Sequence, residues 1–254
     1  MNEVRAQTLI DRQVSQAIAT DLRTLARFHD REPNEELLER LRSVPLSDWI
    51  SLQLRSEAGV TAVALVEDAL AAMPHPVDQD TLDELAVDYA NIYLTYGYRV
   101  SPTESVWVDH EGLDRQGPMF SVRGFYRRYG LEAEKWQSRP DDHLVLQLEF
   151  LGHLFEALES DDTLADAMRF LDHHILVWIG AFAQRVGDRA ATQFFPGLAL
   201  LTAAYLEELR QLLFAVTGEE RRTLDIEAIY QKRQDDERER ENPPAFAPGQ
   251  GPGW

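Results

Sequence analysis

The chain has 254 residues, with 44 Asp plus Glu against 25 Lys plus Arg and a formal net charge of −19. A body this acidic repels phosphate backbones and anionic lipid, which argues against nucleic-acid or membrane-surface binding through a basic face. Hydrophobic residues make up 44% of the chain, enough for a real core; cysteine is absent, which excludes disulfides, thiolate zinc sites and iron–sulfur ligation by this chain.

The first residues, MNEVRAQTLIDRQ, are polar and charged and hold no apolar signal core. No stretch approaches the roughly 20 apolar residues that span a bilayer. With the missing cysteines, these features predict a cytoplasmic protein. Helical periodicity then dominates. Val4, Ile10, Val14, Ile18, Leu22, Leu25 and Phe28 form one apolar stripe. Leu37, Leu38 and Leu41 start a second helix that Pro45 punctuates. Val60 to Met73 is rich in Ala, Val and Leu and closes at Pro74-His75-Pro76. Leu82, Leu85, Val87, Tyr89, Ile92 and Tyr93 predict a helix that ends near Gly97.

Residues 99–118 hold Pro102, Gly112, Gly117 and Pro118 and read as an ordered loop. A short helix over Met119 to Tyr129 stops at Gly130. Pro140-Asp141-Asp142 reads as a helix start, with acids where the N-terminal dipole favours them. Leu144, Leu148, Leu151, Leu154, Phe155 and Leu158 are its buried stripe. Two long helical patterns follow, near 163–186 and 195–217, the second opened by Pro196 and Gly197. Residues 232–241 are mixed-charge and read as a solvated helix end. The Pro/Gly-rich residues 241–254, with Phe246 and Trp254, read as a flexible tail. Nothing alternates with period two for long, so strands are few or absent.

The acidity is uneven. Ser56 to Tyr98 and Pro140 to Met168 each carry eight acids and no Lys or Arg. If the two segments pack together they frame a surface that attracts a cationic partner, and otherwise they serve solubility. No motif for catalysis stands out. Glu149 and His153 lie four apart and share a helix face, but a third metal ligand is missing. Asp141-Asp142 brings to mind a magnesium-binding aspartate pair, yet Val145 stands where the third acid belongs. There is no Walker A loop, GxGxxG fingerprint or nucleophile elbow.

Three segments, in this order, resemble the TorD/DmsD family of redox-enzyme maturation chaperones. The first runs Tyr89-Ala-Asn-Ile-Tyr93 and on through Ser101-Pro-Thr-Glu-Ser-Val-Trp-Val-Asp109; it is similar to the family's aromatic-x-x-Leu-Phe run and Pro-x-Glu-Ser-Val loop. The second, Arg139-Pro-Asp-Asp-His143 with Leu148-Glu149-Phe150, resembles the family's Glu-Pro-x-Asp-His signature. The third, Phe170-Leu-Asp-His-His-Ile-Leu-Val-Trp178, resembles its Leu-x-x-His-Leu-x-x-Trp segment. The likeness spans roughly residues 80–215. Ile92-Tyr93, Arg139 and Val177 depart from the pattern, where Leu-Phe, Glu and Pro are usual.

The resemblance implies an all-α, single helical-bundle domain over residues 1–240, followed by the tail over 241–254. It implies a non-catalytic cytoplasmic chaperone with no cofactor or metal of its own. Its partner would be the catalytic subunit of a dimethyl sulfoxide reductase-family molybdoenzyme, bound through its twin-arginine leader and in its apo form. Export would wait until the cofactor is inserted. A cationic, apolar leader suits an acidic helical protein with an apolar groove. The residues expected at the peptide site are Asp142 and His143, with Pro102, Glu104, Ser105, Trp107, Tyr93 and Trp178 around them. Asp142 would meet an arginine of the leader, or it would cap the helix while His143 ties down the loop. Glu104 and Ser105 hold the loop or touch the peptide. Trp107, Trp178 and the tyrosines at 89, 93, 96 and 98 line the groove or pack in the core. The readings from other classes are a magnesium-dependent helical enzyme using Asp141/Asp142 and a structural subunit of a complex.

Overall fold

A computed structural model describes residues 10–109, 112–134 and 139–222. Val4 and the expectations for residues 232–254 lie outside the described residues. Ten α-helices and no strands occur among the described residues. The helices start where short polar side chains sit. Asp11, Asn34, Ser56 and Asp78 accept backbone N–H bonds at the heads of α1 (Arg12–Asp30), α2 (Glu35–Ser43), α3 (Glu57–Ala72) and α4 (Gln79–Tyr89). The chain then forms α5 (Ser105–Val108), α6 (Gly117–Arg128), α7 (Leu144–Glu156), α8 (Asp161–Phe170), α9 (Ile179–Arg189) and α10 (Phe194–Thr217). Gly218, left-handed at φ 72°, ends α10 where a side chain would strain the turn.

The core is built on α7 and α10. Helix α7 buries Leu144, Val145, Leu148, Phe150, Leu151, Leu154 and Phe155, and α1 lies along it. Helix α10 packs on α3 and α9. Gly197 is what lets α3 come so close: a Cβ there would sit 2.9 Å from Val66 Cγ2 and 3.0 Å from Val66 N. The second neighbour is backbone and cannot rotate away. Gly197→Ala is therefore expected to cost about 1–3 kcal/mol, read as a lower urea midpoint. An unchanged midpoint would mean the α3–α10 contact is loose.

Three stretches differ from the periodic reading, each because backbone groups find partners outside a regular helical ladder. The pattern over 163–186 is two helices, not one. After α8 the ladder widens into a π turn over Leu171–Ile175, and Trp178 leaves helical geometry at φ −137°. There its indole Nε1 donates to the His174 carbonyl at 2.7 Å, satisfying a group the helix has abandoned. The 99–118 loop contains the short helix α5. The start of α7 falls at His143, after the two acids. Asp142 accepts from Glu104 N through its carbonyl, and Leu144 N donates to Pro102 O, so a turn through Asp141 and Asp142 sets His143 in an antiparallel bridge with Thr103.

Candidate functional site

The second and third motif segments meet the Pro102–Asp109 loop at the head of α7. Asp142 is 0% exposed. Its Oδ2 accepts from Ser105 N at 2.8 Å and Ser105 Oγ at 2.5 Å. The aspartate thus caps α5 from a distance in sequence of 37 residues. Its other oxygen has no partner among the described residues. Burial raises its pKa, against the Ser105 bonds that favour the charge. Next to it, Asp141 pairs with Arg123 at 2.8 Å, and its carbonyl accepts from the buried Tyr126 hydroxyl. The two aspartates point to different partners, so they form no paired magnesium site. Among the described residues no three His, Asp or Glu side chains gather to hold a metal.

Glu104 is buried behind the loop. Gln147 Nε2 donates to it at 2.5 Å, and His174 Nδ1 lies 3.0 Å from its Oε1. His174 Nε2 lies 3.2 Å from Ser121 Oγ. Burial, with Asp142 adding to it, pushes the Glu104 carboxyl well up, and burial pulls His174 down to about 4. One proton held between carboxyl and imidazole satisfies both groups without an isolated buried charge. This network clamps the loop, α6, α7 and the π turn together.

The solvent-facing part of the site is a groove of about 620 Å³. One wall is Tyr89, Tyr93, Leu94 and Tyr96; the other is Pro140, His143, Leu146 and Glu149. Glu132, Ala133, Glu134 and Arg139 complete it. A second groove of about 360 Å³ continues from it past Leu146 and Glu149 toward Phe150, His153, Arg23 and Arg27. The Tyr89 and Tyr93 rings stack at 4.9 Å and 29°. Tyr89 donates to Asp30 O, and Tyr93 lies 2.6 Å from His29 Nδ1. Thr202 gives its hydroxyl proton to Leu198 O, so it accepts from His29 Nε2, and Tyr93 donates to Nδ1. His143 is 6% exposed, and its Nδ1 accepts from Val145 N. The ring proton is then on Nε2, at the edge left for the groove. Burial, then Arg139 and His29, lowers His143 to about 3.

The expected residues divide between these two layers. His143 and Tyr93 line the groove. Asp142, Glu104 and Ser105 are buried behind it, and Pro102 joins them through its carbonyl. Trp107, half-buried, donates to Ser101 O and meets Phe182 edge-on, and it is not among the groove's lining residues. Trp178, expected at the groove, is 1% exposed and belongs to the core. The two acidic stretches do meet here, but of their acids only Glu149 lines the groove. Asp88, for example, is buried and accepts from Ala191 N and Thr192 N. Sequence reasoning passed over Gln147, Ser121 and His29. Their signal was a polar residue interrupting an apolar helix face.

Comparison with known proteins identifies the family. The family model described as "Nitrate reductase delta subunit" matches residues 55–184. A protein of Vibrio cholerae serotype O1 named "Chaperone protein TorD" is 30% identical over 191 residues, covering 72% of this chain and 86% of its own length. The protein of the same name from Shewanella oneidensis is 29% identical over 209 residues, covering 79% and 92%. That from Vibrio vulnificus strain YJ016 is 25% identical over 190 residues, covering 71% and 87%. The chain belongs to the TorD/DmsD family of redox-enzyme maturation chaperones.

Proposed function

We propose that this protein is a cytoplasmic chaperone for the catalytic subunit of a dimethyl sulfoxide reductase-family molybdoenzyme. It binds the subunit's twin-arginine leader, and its apo form, while the cofactor is inserted, and so delays export. The observation that carries the reading is the groove beside His143, which joins a stacked aromatic wall to three carboxylates, Glu132, Glu134 and Glu149. A leader with a cationic head and an apolar stretch complements both. No helix of the described residues is long and apolar enough to cross a membrane, which is compatible with work in the cytoplasm.

In this reading the protein acts by occupancy, with no bond made or broken. His143 offers its Nε2–H to a peptide carbonyl, and Tyr93 packs against the apolar stretch. Asp142, Glu104, Ser105 and Pro102 hold the loop and the head of α7 in register, and Trp107 and Trp178 stiffen that frame from behind.

A pull-down from the native cytoplasm, analysed by mass spectrometry, tests this. The expected catch is a molybdopterin subunit still carrying its twin-arginine leader. Leu146→Arg, which crowds both grooves from a half-buried position, is expected to lose that catch. A molybdoenzyme subunit retained equally by the variant would keep the chaperone and move its site. Absence of any such client, when it is present in the lysate, would defeat the reading.

A further inference from the structure

If a cationic leader enters the groove, one carboxylate has to receive it. Asp142, which the sequence favours for that task, is buried and spends its Oδ2 on Ser105. Asp141 is taken by Arg123. Glu149 is placed differently. It stands on α7 two turns beyond His143, exposed, at the point where the two grooves join. Among the described residues its carboxylate makes no hydrogen bond and no ion pair. The arginines whose field it feels are mostly engaged elsewhere: Arg139 with Asp30 at 2.6 Å, and Arg23 with Glu156. Though the side chain reaches solvent, the groove walls partly desolvate it, and with the like charge of Asp30 they raise its pKa.

Two further groups in the same groove lack only a ligand. His143 is more than nine-tenths buried, and with Nδ1 turned to Val145 N its Nε2–H has no partner among the described residues. The Tyr89–Tyr93 wall, pinned through Asp30 O and His29, presents aromatic surface suited to the flat face of a guanidinium. A carboxylate, an N–H donor and an aromatic wall are what an arginine-bearing apolar peptide needs. An anionic occupant would meet Glu132, Glu134 and Glu149 together.

We infer that Glu149 is the groove residue that receives an arginine of the bound leader, and that it sets the preference for a cationic peptide. The inference rests on the leader-binding reading above.

The test uses the full chain and two fluorescent synthetic peptides. One carries an Arg-Arg pair ahead of an apolar stretch, and the other has both arginines replaced by Gln. Wild type is expected to bind the first about tenfold more tightly or better. Glu149→Gln is expected to bind the two nearly alike, with an unchanged melting temperature because the side chain holds nothing in place. Glu159→Gln, which removes the same charge outside the groove, is expected to keep the full preference. Full preference in Glu149→Gln would overturn the inference and leave the leader-binding reading intact. So would equal binding of both peptides by wild type. Failure of wild type to bind either peptide would overturn the reading itself and the inference with it.

Discussion

Asp172→Ala is expected to cost the fold about 3–5 kcal/mol. Asp172 lies in the π turn between α8 and α9, and Arg210 reaches it from α10. The pair is bidentate, Nε to Oδ1 at 2.7 Å and an η-nitrogen to Oδ2 at 3.1 Å, and both residues are buried. Arg222 N also donates to Asp172, and Arg210 donates to Glu219 O. Removing the carboxylate leaves a buried guanidinium without its counter-charge and an unpaired backbone N–H. The loss comes from the uncompensated charge and not from the pair as such. The double variant Asp172→Leu/Arg210→Met is therefore expected to recover most of the stability. Urea denaturation of wild type, single and double variants decides it: a single variant within 1 kcal/mol of wild type would mean that water reaches Arg210. Asp172 also belongs to the motif segment Phe170–Trp178. That segment fixes the π turn and, through His174, the Glu104 clamp; the groove lies elsewhere.

The contrast between periodicity and pairing explains what the sequence made legible. Helices α1, α2, α3, α4, α6 and α10 follow from their apolar stripes, caps and Pro or Gly punctuation, since those signals act within a turn or two. The juxtaposition of the Pro102–Asp109 loop with the head of α7 entered only through the family likeness. Its physical basis is the Ser105–Asp142 cap, which no local pattern encodes. The same holds for Gln147 with Glu104, for His174 with Glu104, and for His29 with Thr202, which lie 43, 70 and 173 residues apart. The expectation that Asp142 meets a leader arginine is formed without sight of its bonds to Ser105. An aspartate beside a helix start reads as available until its partner is seen, and a glutamate amid an amphipathic stripe reads as ordinary surface.

Stability is expected to fall steeply as pH drops below about 6.5, the ordinary histidine pKa. His29 and His143 are both buried, and burial lowers each to about 3 in the fold. Between those values the unfolded chain binds a proton at each site and the folded chain does not. Stability is thus complete above pH 6.5 and is lost on the way down, at about 1.4 kcal/mol per pH unit for each histidine. Glu104 and Asp142 act in the opposite sense. Burial raises both, so the fold takes up their protons first and gains stability as pH falls through the raised values toward the unfolded one. His174, lowered to about 4, sits on Glu104, and its loss is set against that gain. His29 and His143 together contribute about 3 kcal/mol per unit of that downward slope, from which Glu104 and Asp142 subtract. His29→Gln isolates one of the two histidines. Glutamine supplies an amide N–H for Thr202 and a carbonyl for Tyr93, replacing the two bonds of the neutral ring without titrating. Stabilities from urea unfolding between pH 7 and 5 are expected to fall by about 1.4 kcal/mol per unit less in the variant than in wild type. A wild type whose stability stays flat over that range would mean both imidazoles accept a proton inside the fold. Because His143 stays neutral, the charge that draws in a cationic peptide comes from the carboxylates of the groove. Peptide affinity is accordingly expected to pass through pH 6.5 without a step, whatever happens to stability below it.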